Sequence, residues 1–338
     1  MLPETMKCYL VTKDAEGNLS ARVDRRPLDE LPQGEVLVRV AYSSLNYKDA
    51  LGATGHPGIN RKFPYVPGVD AAGVVVESGV YEWVEGDRVV INGFDMGMNR
   101  WGGLAEYVRV RDDWLVPLPS ALTLRESMIL GTAGFTAAQC VDALQKNGIQ
   151  PDDGEIVVTG STGGVGSFAV AILAKLGYQV AAVTGKPTAE DYLKGLGAQR
   201  ILTREQVDDQ SGKPVLPARF AGAIDCVGGN ILSTIIRSTK HGGCVAACGL
   251  TAGHELPITV YPFILRNVTL AGIDSGWCPL ELKHDIWKRL AGPWKLDGLE
   301  EIAKFIQLEE LPPQIDAILA GKVTGRVVVE IGGEEGDV

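Results

Sequence analysis

The run Thr159-Gly160-Ser161-Thr162-Gly163-Gly164-Val165-Gly166 constrains this chain more than any other segment. It follows a buried-strand pattern, Ile156-Val157-Val158-Thr159. It opens a helical one, Ser167 to Leu176, in which Phe168, Val170, Ala171, Ile172 and Ala174 fill the buried faces. Ser161 stands where a G-x-G-x-x-G spacing has its first glycine, and Gly163 and Gly166 keep the rest. Gly163 lets the backbone approach a pyrophosphate, and Gly166 lets the helix pack on its strand. The start of the helix adds free N–H groups and partial positive charge. The expected ligand is a nucleotide; a glycine-rich turn that holds nothing is the alternative. The 19 residues Ile156 to Ala174 carry no charge. Their four glycines and four hydroxyl residues, however, exclude a membrane helix, which needs about 20 mostly apolar residues.

The flanking sequence has two rhythms. Before about Glu126, short strand candidates are punctuated by Gly and Pro: Val36 to Val40, Ala71 to Glu77 and Arg88 to Ile91. That pattern predicts a compact antiparallel barrel. Beyond it, strands alternate with helices. Val180 to Val183, Ile201-Leu202, Ala223 to Val227, Cys244 to Cys248 and Val268 to Ile273 are the strands, and Tyr192 to Leu196 belongs to a second helix. Such alternation predicts a doubly wound parallel α/β sheet. A last strand, Arg326 to Ile331, is expected to return to the first domain. The chain should divide into a barrel domain of residues 1–127 and 275–338 and a nucleotide-binding domain of residues 128–274.

At 338 residues and a formal charge of −10, the chain is long enough for two domains and too acidic for a nucleic-acid footprint. Six scattered cysteines are too few for a disulfide scaffold, so reduced thiols and a cytoplasmic location are expected. No apolar run marks the first ten residues as a signal peptide.

The strand after the glycine helix ends at Val183-Thr184-Gly185-Lys186, and Lys186 lies 20 residues beyond Gly166. A site selective for NAD places an acid about there, to bind the ribose 2′-hydroxyl. Here Thr184 and Lys186 stand instead, with Arg204 just past the third strand. A hydroxyl and two cations suit a 2′-phosphate, so NADPH is the expected cofactor; solvated surface charges are the alternative reading. No metal is expected. Between Cys8 and Cys140 the only cysteine or histidine is His56, whereas zinc needs three or four ligands. Cys244 and Cys248, four apart on one predicted strand, read as small core residues.

Taken together, Gly34-Glu35-Val36-Leu37-Val38, Pro67-Gly68-Val69-Asp70, Gly86-Asp87-Arg88-Val89, Gly102-Gly103-Leu104-Ala105-Glu106-Tyr107 and Ser161 to Gly166 resemble the medium-chain dehydrogenase/reductases over essentially the whole chain. That likeness implies a GroES-like barrel beside a Rossmann sheet. Val69 stands where the zinc enzymes of that family carry a histidine, and Asn46 where their first cysteine ligand falls. Ser43 to Leu51, Pro262 to Val268 and Gly272 to Ser275 are similar to the zinc-free acryloyl-CoA reductases, also described as quinone oxidoreductases. The resemblance implies NADPH-dependent reduction of acryloyl-CoA to propanoyl-CoA by a cytoplasmic homodimer. It also implies a cofactor lined by Tyr47, Thr162, Gly163, Gly164, Val165, Thr184, Gly185, Lys186, Arg204, Leu250, Ile264 and Ser275.

Hydride adds to the β-carbon of an enoyl thioester, so charge develops on the thioester oxygen and needs fixed donors. Tyr47 and Asn46 are the catalytic candidates. The Tyr47 hydroxyl can donate a proton or a hydrogen bond, or its ring can pack on the nicotinamide ribose. Asn46 can donate to the same oxygen or to the ribose. Asp49 reads as a carboxylate at a helix N-terminus. Arg61, Lys62 and Arg100 are candidates for the anionic coenzyme A, with Trp101 and Trp277 beside a pantetheine channel; ordinary surface and packing roles are their alternatives. A zinc-free quinone or enone reductase, or an NADPH-binding protein without turnover, are the other function classes.

Overall fold

The computed structural model describes residues 2–332. These form two compact units. One holds the chain up to Thr132, Gly276–Gly292 and the segment from Asp297; the other holds Ala133–Ser275 with Pro293–Leu296. The expected first domain reached residues 1 and 333–338, which lie outside the described residues.

The first unit opens with an antiparallel hairpin, β1 (Thr5–Lys13) and β2 (Leu19–Pro27). The strands β3 (Val36–Leu45), β4 (Asp70–Ser78), β5 (Arg88–Asn92), β6 (Tyr107–Val110) and β7 (Val116–Pro117) follow, with helix α1 (Tyr47–Ala53) directly after β3. Period-two alternation sends β3 into two cores. Val36, Val38 and Val40 pack with Val75, Val89 and Ile91, while Leu37 and Leu45 pack with Leu10, Val327 and Val329. Helix α2 (Leu124–Lys146) runs from this unit into the next and is broken at Gly131 (φ 48°, ψ −154°). The units therefore divide inside this helix, at Thr132, five residues beyond the expected position 127, which lies in the same helix.

In the second unit come β8 (Ile156–Val158), α3 (Gly164–Lys175), β9 (Val180–Val183), α4 (Glu190–Gly195), β10 (Arg200–Leu202), β11 (Phe220–Asp225), α5 (Gly229–Ser238), β12 (Thr239–Ala247), α6 (Tyr261–Arg266) and β13 (Thr269–Gly272). The six strands are all parallel, in the order β10-β9-β8-β11-β12-β13. The chain leaves β8 toward one edge, then restarts at β11 toward the other. The β8/β11 boundary is thus the topological switch point, outside whose carboxyl ends such sheets bind ligands.

The chain then returns to the first unit through α7 (Leu280–Ala291), β14 (Ala303–Gln307), α8 (Leu311–Leu319) and β15 (Arg326–Glu330). The sheet there runs β14-β15-β3-β4-β5-β7, with β6 also paired to β3. β15 lies antiparallel to β3, with Val327 opposite Leu45. No helix among the described residues is long and apolar enough to cross a membrane.

Candidate active site

The glycine turn leaves the carboxyl end of β8, at the switch point. Ser161, which replaces the expected glycine, clamps two strand ends. Its hydroxyl donates to the Val158 carbonyl (2.7 Å) and accepts the Val183 N–H (2.9 Å). Gly163 caps α3, and the helix begins at Gly164, three residues before the helical pattern suggested. A Cβ on Gly166 would lie 2.3 Å from the Gly160 carbonyl oxygen and 2.6 Å from the Ser161 Cα. Only glycine lets α3 approach its own turn this closely. Thr159, directly after β8, and Asp225, at the end of neighbouring β11, brace the turn. The Thr159 hydroxyl donates to Asp225 (2.7 Å) and accepts the Cys226 N–H (2.9 Å). Asp225 also accepts the Gly228 N–H (2.7 Å). Burial pushes its carboxyl up to about 6 against these bonds.

At the end of β9, Thr184, Gly185, Lys186 and Arg204 come together. The Thr184 hydroxyl accepts the Lys186 N–H at 3.0 Å. A Cβ built on Gly185 would meet the Arg204 guanidinium carbon at 2.7 Å. Burial, then the charge of Arg204, hold the Lys186 ammonium below its usual pKa. Two cations kept close together suit a multiply charged anion.

Tyr47 is the first residue of α1 and is 38% exposed. Asn46 before it is buried, and its amide is committed. Its Nδ2 donates to Asp70 (2.7 Å) and its Oδ1 accepts from Arg326 (3.0 Å). The Asn46 N–H donates to Asp49 (2.8 Å), which also accepts the N–H groups of Gly68 and Val69 at 3.0 and 2.9 Å. Asp49 is therefore the N-terminal carboxylate of α1 and ties that helix to the start of β4. Burial, with Asp70 nearby, pushes its carboxyl up to about 7. Asp70 accepts from the Ser44 hydroxyl (2.6 Å) and from the N–H and hydroxyl of Thr132 (2.9 and 2.6 Å), the residue after the break in α2. Arg326 stands 3.7 Å from Asp70 and donates to the Ser44 hydroxyl (2.7 Å) and the Ile129 carbonyl (3.1 Å).

Sequence reasoning missed Ser44, Thr132 and Arg326 as parts of this network. Asp70 was visible only as the end of Pro67-Gly68-Val69-Asp70. A charged residue opening an otherwise apolar strand, Arg326 before Val327-Val328-Val329, was the available signal.

Of the weaker cofactor candidates, Leu250 and Ile264 are 61% and 69% exposed, and Ser275 is half-buried at the last position of its segment of the second unit. Arg100 and Trp277 converge on an aromatic pair. Phe94 stacks on Trp114 at 5.3 Å, Arg100 lies 5.6 Å from the Trp114 ring, and Trp277 meets Phe94 edge-on at 5.9 Å. Trp101 donates instead to the Pro64 carbonyl (3.2 Å), and Arg61 to the Pro57 carbonyl (3.1 Å). Lys62 is an exposed side chain. Cys248 lies one residue past β12 and is half-buried against Cys226, so it is not the core residue expected.

Two families match. One described as the alcohol dehydrogenase GroES-like domain covers residues 32–120, and one described as zinc-binding dehydrogenase covers residues 164–290. The residues do not fit the zinc of that description. Among the described residues no group of three His, Cys, Asp or Glu could hold a metal, and Asn46 and the apolar Val69 occupy the expected ligand positions. An acrylyl-CoA reductase, AcuI, of Ruegeria pomeroyi is 46% identical, over 95% of this chain and 98% of its own. The yhdH oxidoreductase of Salmonella enterica, solved in complex with NADP, is 48% identical, with a TM-score of 0.93 over 96% of this chain and 99% of its own. Bacillus subtilis yhfP, solved with NAD bound, is 44% identical, with a TM-score of 0.93 over 97% and 100%. Identity this high over nearly the full length places the chain: it belongs to the medium-chain dehydrogenase/reductase family, with a GroES-like unit and a Rossmann nucleotide-binding unit.

Proposed function

We propose that this chain reduces the 2,3 double bond of acryloyl-CoA to propanoyl-CoA with NADPH, as a cytoplasmic homodimer. The observation that carries the cofactor is the Lys186–Arg204 pair at the end of β9, where an NAD site places an acid. The substrate rests on the likeness to acrylyl-CoA reductase AcuI.

Bound NADPH supplies the hydride. Thr162, Gly163, Gly164 and Val165 offer their backbone to the pyrophosphate at the start of α3. Thr184, Gly185, Lys186 and Arg204 take the 2′-phosphate, and Leu250, Ile264 and Ser275 line the rest. Tyr47 serves the reacting end, where its hydroxyl donates to the thioester oxygen or to the α-carbon, or its ring packs. Asn46 is a positioning residue in this reading, because its amide already bonds Asp70 and Arg326 and so fixes the start of α1. A conjugated enoyl thioester needs no Lewis acid, since its β-carbon is already activated and its oxygen can be held by hydrogen-bond donors.

A second reading, a quinone reductase, is favoured by the provisional quinone oxidoreductase name of B. subtilis YhfP, 45% identical over 93% of this chain and 96% of its own. Cofactor oxidation with acryloyl-CoA, crotonoyl-CoA and a quinone, each with NADPH and NADH, separates the readings. Acryloyl-CoA with NADPH should give the highest kcat/KM. Crotonoyl-CoA should follow at about 10–200-fold lower, the usual worth of one methylene in an apolar pocket. A quinone preferred over both thioesters would overturn the proposal.

A further inference from the structure

Three cysteines gather in the second unit, beside the glycine turn. β11 and β12 are parallel, with Asp225 opposite Ala247, so Cys226 and Cys248 are the next residues of adjacent strands. Their Sγ atoms are 3.8 Å apart, and the Cys248 thiol also donates to the Asp225 carbonyl at 3.4 Å. Both side chains are half-buried, whereas Cys140 on α2 is buried. Adjacent strands run about 4.7–4.9 Å apart, inside the Cα separation of about 4.4–6.8 Å that a disulfide requires. The 3.8 Å between the sulfurs is the gap that a bridge has to close.

The three sulfurs are not equivalent. Hydrogen bonds shared with Cys140 and Cys226 hold the Cys248 thiol below its ordinary pKa. The bond to Cys248, with burial, pushes Cys226 up; burial, with the same partner, pushes Cys140 up. Cys248 is thus the easier of the two to ionise and Cys226 the harder, the order that attack and resolution need. Nothing in the proposed reduction uses these residues.

We propose that Cys226 and Cys248 are a dithiol site that a hydroperoxide converts to a reversible disulfide. The Cys248 sulfur attacks the O–O bond; an S–O bond forms, and the other oxygen leaves as water or an alcohol. The Cys226 sulfur then attacks the resulting sulfenic acid, the S–S bond forms, and the S–O bond breaks with loss of water. Two thiols and one hydroperoxide give one disulfide, one alcohol or water and one further water. The bridge forms beside the pyrophosphate turn, since the Cys226 N–H already bonds Thr159 and a Cβ on Gly160 would lie 3.3 Å from the Cys226 Cβ. The inference rests on the second unit alone and stands whichever substrate is reduced.

The test treats the reduced full-length protein with hydrogen peroxide, then alkylates the remaining thiols and maps the peptides. The expected product has lost two hydrogens, links the Cys226 and Cys248 peptides, and returns to two thiols with dithiothreitol. Cys8 and Cys244, both buried, should react at least tenfold more slowly. A brief pulse of iodoacetamide on untreated protein should label Cys248 before Cys226. Cys226→Ser should abolish the linked peptide and leave Cys248 oxidised but unbridged. Should that variant fold poorly, the wild-type map decides by itself. Cys226 and Cys248 both remaining alkylatable after peroxide, or a bridge from Cys140 in the wild type, would overturn the proposal.

Discussion

Arg326→Met removes the cation from the buried network that fixes the start of α1. Methionine keeps most of the apolar volume, so the loss is chiefly one of charge and hydrogen bonds. Arg326 is 3% exposed and donates to Ser44 (2.7 Å), Asn46 (3.0 Å) and Ile129 (3.1 Å), with Asp70 at 3.7 Å. Asp70 and Asp49, 0% and 1% exposed, would then share the site with no arginine. Breaking a buried pair by removing one partner costs about 3–5 kcal/mol. In a domain of about 150–250 residues each kcal/mol moves Tm by about 2–4 °C, so a fall of about 6–20 °C is expected. Differential scanning calorimetry at pH 8 measures it. Arg326→Met combined with Asp70→Asn should recover part of the loss, because the carboxylate left without its arginine is gone. A fall of less than about 2 °C, or a double variant whose loss is the plain sum of the two single ones, would show that Arg326 and Asp70 do not act as a pair.

Lys186→Ala and Arg204→Ala should each weaken NADPH by about 10–150-fold, the worth of a charge-assisted contact of about 1.5–3 kcal/mol, and leave NADH nearly unchanged. Both side chains are partly solvated, so the low end of that range is expected, and equal losses for the two cofactors in a titration would refute the 2′-phosphate reading. Tyr47→Phe should lower kcat by about 10²–10⁴ if the hydroxyl protonates or polarises; if the ring only packs, Tyr47→Ala alone should raise the cofactor KM. Steady-state kinetics of both variants decide, and no change in either would remove Tyr47 from the site. Burial holds Asp49 near 7, above its value of 3.8 when solvated, so its contribution to stability is fully present below about pH 4 and is lost as pH rises to about 7. Relative to Asp49→Asn, the wild type should therefore gain Tm between pH 8 and pH 5; a difference in Tm that stays flat with pH would refute the shift.

What could be read along the chain was whatever neighbours in sequence encode. The strand, glycine turn and helix around Gly163 and Gly166 announce themselves through local periodicity and residue type, and so does the lack of an acid at Thr184 to Lys186. The six-stranded parallel sheet follows from the strand–helix alternation. The β1–β2 hairpin did not show, because Leu19–Pro27 is half-exposed and carries three Arg and Asp24, so its alternation is faint. Nor did the boundary at Thr132, since one helical pattern runs across the break at Gly131. The network around Asn46 lay further out of reach. Ser44 and Arg326 are separated by 282 positions and meet only because β15 pairs with β3. Cys226 and Cys248 meet in the same way, through the register of β11 on β12. Local preference selects helix, strand and turn over a few residues. Which distant side chains share a buried site is decided when strands pair and hydrophobic faces close, and that choice is made by the whole fold.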